Sequence, residues 1–136
     1  MKLKAILPIL FICLLTFNSC KVKQSPITML NGTWIGEAYQ FNTDEKWSIS
    51  FFSNMKKRGY FIDYPSLGCG GKWILEEHHD NRFQFREVLD EGFDICTDRG
   101  KVELVLEDKD RIAFFYYWPD DRMLTASGYL YRKYNK

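Results

Sequence analysis

Few side chains in this sequence are spaced for chemistry. Serine hydrolysis needs a nucleophile on a sharp turn, a base to take its proton and an acid to orient the base. Ser66 and Ser127 lie near glycines, but neither stands in a Gly-x-Ser-x-Gly elbow and neither has an obvious base. Carboxylate pairs of the glycosidase kind, Glu76 with Glu77 or Asp120 with Asp121, are sequence neighbours whose side chains diverge on an extended chain. The same divergence separates His78 and His79, which with two cysteines are the soft donors a metal would want, so no metal site is expected. Both histidines fall in Glu76-Glu77-His78-His79-Asp80, which reads as a solvated hairpin tip. Arg86 and Glu87 interrupt an apolar run and read as a structural ion pair at the mouth of the fold. The expectation is a protein without catalytic residues and without a cofactor.

The cysteines say more. Lys2 and Lys4 precede an apolar run from Ala5 to Phe17, the layout of a secretory signal, and the run is too short for a permanent membrane span. Phe17-Asn18-Ser19-Cys20 then places a small residue directly before a cysteine and resembles a bacterial lipobox, in which Cys20 is acylated and becomes the new N-terminus. That resemblance implies a signal over residues 1–19, a lipidated N-terminus and tether over 20–29 and a folded domain over 30–136. Several acyl chains on one cysteine anchor stably. With no Asp after Cys20, the expected address is the bacterial cell envelope, at the outer membrane facing the periplasm. Residues 21–29 lack apolar periodicity, contain Pro26 and read as a flexible tether. Cys13 leaves with the signal and Cys20 takes the lipid, so Cys69 and Cys96 remain as an even pair in an oxidising compartment and are expected to form a disulfide.

The elements that must carry these residues are strands. Of 136 residues 46% are hydrophobic, too many for a disordered chain, and 19 Lys and Arg against 18 Asp and Glu give no excess to draw a nucleic-acid backbone. Apolar and polar residues alternate at period two: Trp47, Ile49 and Phe51; Phe83 and Phe85; Val102, Leu104 and Leu106. Eight runs separated by turn-like residues fall near 33–41, 46–53, 58–64, 71–77, 81–89, 101–107, 111–118 and 123–132. Short strands joined by tight turns predict an all-β antiparallel up-and-down barrel that closes to remove its edges, with a two-sheet sandwich as the alternative. An eight-stranded barrel is either filled by side chains or holds one small ligand.

Leu30-Asn31-Gly32-Thr33-Trp34-Ile35-Gly36 resembles the Gly-x-Trp opening strand of lipocalin-like and avidin-like barrels, in which the tryptophan plugs one end. Ile62 to Leu75, with its Tyr64-Pro65-Ser66-Leu67-Gly68-Cys69-Gly70-Gly71 segment, then Phe85-Arg86-Glu87, Cys96-x-Asp98-x-Gly100-x-Val102-x-Leu104 and Ala126-Ser127-Gly128 resemble a family of small bacterial secreted or lipid-anchored β domains of undefined activity. That second resemblance implies a shared fold, a bridge from Cys69 to Cys96 and no known chemistry. The glycine cluster reads as a shaped turn or as a nest of N–H groups for an anion.

Two aromatic sets are candidates for binding. Trp34, Trp47, Tyr60, Trp73 and Phe85 form an inward set that would border a void if the barrel held a small apolar ligand. The run Ile112 to Trp118 puts rings on both faces: with Ile112, Phe114, Tyr116 and Trp118 inside, Phe115 and Tyr117 lie outside and join Ser127, Tyr129 and Tyr131 as a surface for a protein partner or as simple cross-strand packing. Thr125-Ala126-Ser127-Gly128-Tyr129 resembles the Ser-Gly loop of periplasmic lysozyme inhibitors, which implies an inhibitor or immunity role as the alternative to ligand binding, with a structural envelope role as the third. The expected partners are the membrane, through N-terminal acyl chains, and a small apolar ligand or a protein; nucleic acid is not expected.

Overall fold

Alternating burial along each strand closes the sheet. The computed structural model describes residues 23–57, 59–120 and 122–135; the signal segment and Cys20 lie outside the described residues. A single helical turn α1 (Pro26–Met29) leads into β1 (Gly32–Gln40), β2 (Glu45–Asn54), β3 (Gly59–Tyr64), β4 (Cys69–His79), β5 (Arg82–Glu91), β6 (Lys101–Leu106), β7 (Arg111–Tyr117) and β8 (Leu124–Lys133). Each strand pairs antiparallel with the next, and β8 returns to pair with β1 in a closed eight-stranded barrel. The sandwich alternative is thereby excluded. Up-and-down closure of this size is consistent with a lipocalin-like architecture.

Every second residue of β2, from Trp47 through Ile49 and Phe51 to Ser53, is buried. These meet inward residues of the other strands in a continuous aromatic core, where the Trp73 ring lies 4.9 Å from Phe51, 5.6 Å from Phe85 and 6.0 Å from Phe114. The middle of the barrel is therefore filled by side chains.

The two ends differ. One end is closed by α1 and by the β2–β3, β4–β5 and β6–β7 turns. There Trp34 is fully buried, donates from Nε1 to the Leu30 carbonyl at 2.9 Å and lies under the Arg132 guanidinium at 4.2 Å. Arg132 also donates to the carbonyls of Lys109 at 2.7 Å, Asn31 at 2.8 Å and Met29. Within the tether expected over residues 21–29, Pro26–Met29 are instead part of the fold: Pro26 starts a helical turn, where its missing N–H costs nothing, and Ile27 and Met29 pack partly buried against the core. Replacing Arg132 by Met keeps the apolar stem and removes the donors, and is expected to cost about 2 kcal/mol, the scale of charged hydrogen bonds, read as a lower urea midpoint at unchanged slope.

The other end, the mouth, is built from the β1–β2, β3–β4, β5–β6 and β7–β8 connections. Its longest segment, residues 92–100, is fastened by the disulfide between Cys69 and Cys96, whose Cα atoms stand 6.3 Å apart.

Candidate functional site

β5 buries Phe83, Phe85, Glu87 and Leu89 in strict alternation, so its one inward polar residue is carried into the barrel by register alone. Glu87 is 1% exposed. Its cross-strand partner Trp73 donates from Nε1 to Glu87 Oε2 at 3.0 Å, and the Tyr64 hydroxyl donates to the same oxygen. The second carboxyl oxygen, Oε1, accepts no hydrogen bond from any described residue. This corrects the expected ion pair between Arg86 and Glu87. Adjacent strand residues face opposite sides, so Arg86 points outward and pairs with Glu76 at 3.0 Å while Glu87 points in.

Burial pushes the Glu87 carboxyl up to about 7; the bonds from Tyr64 and Trp73 pull the other way by favouring the charged form, and the nearby Asp98 carboxylate adds to the rise. Burial, followed by the Glu87 charge, also holds the Tyr64 and Tyr116 phenols above their ordinary range.

Above this carboxyl lies a cavity of about 160 Å³ at the mouth, bordered by Glu87, Trp47, Tyr64 and Tyr116 and, nearer solvent, by residues of the connections. The Trp47 ring stands at 89° to Tyr64 and 90° to Tyr116, with centroids 5.1 and 6.4 Å away, so the aromatic walls meet edge to face. Trp47 is held by a bond from Nε1 to Gln40 Oε1 at 3.1 Å.

Residues 92–100 form the opposite wall, and the sequence fits them to the barrel at several points. Gly92 adopts φ +77°, and a Cβ there would lie 2.7 Å from the Gly68 carbonyl oxygen, so only glycine lets the segment pass beside the disulfide. Asp98 Oδ1 accepts from the Leu89 amide at 2.9 Å, the Gly100 carbonyl accepts from the Glu87 amide at 2.8 Å, and the Tyr116 hydroxyl donates to the Thr97 carbonyl at 3.1 Å. The glycine cluster on the facing strand also serves packing. A Cβ at Gly71 would lie 2.2 Å from the Val88 carbonyl oxygen, beside a register shift between Gly70 and Gly71. The amides of Leu67 and Gly68 donate to the Tyr64 carbonyl, which leaves the turn reading in place of the anion nest.

The inward aromatic set is divided by this arrangement. Trp47 borders the cavity; Trp73 reaches its base only through Glu87; Phe85 is in the packed core; Tyr60 is half-buried and stacks near Phe51; Trp34 plugs the opposite end. Trp118, expected inside, is 36% exposed at the rim, because β7 ends at Tyr117. On the outer face Phe115 and Tyr117 are half-buried, Phe115 pairs with Ser127, and Tyr129 and Tyr131 are 47% and 52% exposed beside β1. Tyr129 lies under the Arg111 guanidinium at 5.2 Å. Ala126 to Tyr129 runs within β8 between β1 and β7, with Thr125 at the register shift that precedes it, so this segment is barrel wall.

Nothing in the sequence singles out Tyr64, Tyr116, Gln40 or Thr125 for this site. For Glu87 the signal is present in the alternation Phe83, Phe85, Glu87, Leu89. Among the described residues no group of three His, Cys, Asp or Glu side chains is placed to hold a metal ion. No protein-family model, no curated protein and no solved structure matches this chain.

Proposed function

We propose that this chain is a lipid-anchored envelope protein of a bacterium, and that its barrel is a non-enzymatic binding module for a small molecule seated in the mouth cavity. The observation that carries the reading is the pairing of an aromatic cavity with the buried Glu87, one of whose carboxyl oxygens is left without a donor, the usual composition of a small-ligand site: apolar walls and a single polar group to orient the ligand. A volume near 160 Å³ suits the head of a ligand about the size of benzene, with any longer part extending past the rim.

The lipidated terminus supports this use of the mouth. α1 enters at the closed end, and residues 20–25 reach at most about 20 Å when extended, so acyl chains on Cys20 would hold the closed end near the bilayer and leave the mouth facing away from it. Replacing Cys20 by Ala is expected to move the protein from the membrane fraction to the soluble fraction, and retention in the membrane would overturn the anchor. Native mass spectrometry of the protein isolated gently from its own cells tests the binding role. A defined small-molecule adduct, lost in Trp47→Ala, is the expected result, and a bare chain at every collision energy contradicts it.

A second reading rests on the rim, where Phe93, Ile95 and Met123 are 60%, 63% and 60% exposed. Apolar side chains gathered around a mouth also fit a protein partner, as an inhibitor or immunity protein would require.

A further inference from the structure

The hydrogen-bonding state of the cavity specifies a class of ligand, given that the cavity is a binding site as proposed above. The polar hydrogens of its inner side chains are already committed: Trp47 to Gln40, Tyr64 to Glu87, Tyr116 to the Thr97 carbonyl and Thr125 to the Met123 carbonyl. Of the other side-chain donors near the cavity, the Gln40 amide donates to Asn42 Oδ1 at 2.9 Å, and the Thr97 hydroxyl and the Trp118 indole belong to residues that solvent reaches. No Lys or Arg among the described residues borders the space. What borders the space is acceptors and ring surfaces: the Glu87 carboxyl, the phenol oxygens, and the Trp47 ring set perpendicular to those of Tyr64 and of Tyr116. Such a lining can accept hydrogen bonds and attract positive charge, since aromatic faces are the negative side of the ring quadrupole.

We propose that the mouth cavity binds the protonated head of a small primary amine, with its ammonium hydrogen-bonded to Glu87 Oε1 and its apolar body against Trp47 and Tyr116. The wall beside it fits a cation as well. Residues 90–100 carry four acids, Asp90, Glu91, Asp94 and Asp98, against one base, Arg99, which stands 3.9 Å from Asp98 Oδ2, so the approach to the cavity keeps a negative excess although the whole chain is near neutral. The titratable groups that face Glu87 are Tyr64 from β3, Tyr116 from β7 and Asp98 from the 92–100 segment; none of them is basic.

Isothermal titration of the purified protein with benzylamine and with its neutral counterpart benzyl alcohol, at about pH 8 and about pH 5, separates this class from the cavity itself. At the higher pH benzylamine is expected to bind at least about tenfold tighter than benzyl alcohol, a difference of one good charged contact. That preference is expected to shrink at the lower pH, where the Glu87 proton is retained, and to vanish in Glu87→Gln, whose amide keeps an acceptor for Tyr64 and Trp73. Equal affinity for the two compounds at both pH values overturns the amine class and leaves the cavity reading standing. Binding of neither compound at millimolar concentration overturns both. The wild-type pH comparison decides the matter even where the variant does not fold.

Discussion

Stability of the barrel is expected to fall by about 3 kcal/mol as pH rises from about 4.5 to about 8, and Glu87→Gln is expected to remove that fall. The sign follows from proton counting. The Glu87 carboxyl has an ordinary value of 4.5 and is raised to about 7 in the folded barrel, chiefly by burial. Between these values the native state holds a proton that the unfolded state has released. Stability from this group is therefore complete below the unfolded value and is lost as pH rises through the folded one. The amide introduced by Glu87→Gln cannot ionise, yet it retains an oxygen for the Tyr64 and Trp73 donors, so the variant should be at least as stable as the wild type near pH 8. Urea denaturation at a series of pH values measures this. A flat wild-type profile, or a slope that survives in Glu87→Gln, contradicts it.

Opening the Cys69–Cys96 bridge is the second large effect. The bridge spans a sequence separation of 27, and closing a loop of that length in the unfolded chain is worth about 3.5 kcal/mol on the chain-entropy estimate. The expected change is a lower urea midpoint in the reduced protein and in the double variant Cys69→Ser, Cys96→Ser. The consequence reaches beyond stability, because residues 92–100 wall the mouth cavity and hold Asp98 and the Thr97 carbonyl in place. Their remaining fastenings are a few hydrogen bonds, each worth about 1 kcal/mol. Weaker ligand binding should therefore accompany reduction well before global unfolding. An unchanged midpoint, or full ligand affinity in the reduced protein, contradicts this role for the bridge.

Most of the fold was legible in the residues, because period-two alternation reports burial directly. The run Val102, Leu104, Leu106 and the run Ile112, Phe114, Tyr116 face inward as their spacing requires, and all eight strands lie within a few residues of the runs read from the sequence. The departures come where tertiary contacts override local pattern. Pro26 to Met29 looked like tether because four residues carry no usable periodicity; only the core beneath Ile27 and Met29 makes them a helical turn. Trp118 followed the inward alternation of β7, yet lies past the strand's last residue, where the alternation no longer constrains it.

The site was less legible, for a related reason. Composition invites Glu87 to be paired with its basic neighbour Arg86, whereas strand geometry sends the two to opposite faces. A charged residue at an inward position looks like an error in the pattern until its partners are known, and those partners, Tyr64 and Trp73, lie 23 and 14 residues away in sequence. The cavity itself depends on how residues 92–100 cross the mouth, which no local spacing encodes.

The proposed ligand binding at the mouth rests on a buried carboxyl at the base of the cavity that is raised to about 7 and carries one oxygen without a hydrogen-bond donor. Carbon-detected magnetic resonance of the Glu87 carboxyl carbon, titrated against pH with and without benzylamine, tests it most directly. The expected result is a midpoint near 7 in the free protein that moves down when the amine is bound. A midpoint near the ordinary 4.5, or one that benzylamine leaves unmoved at saturation, would contradict it.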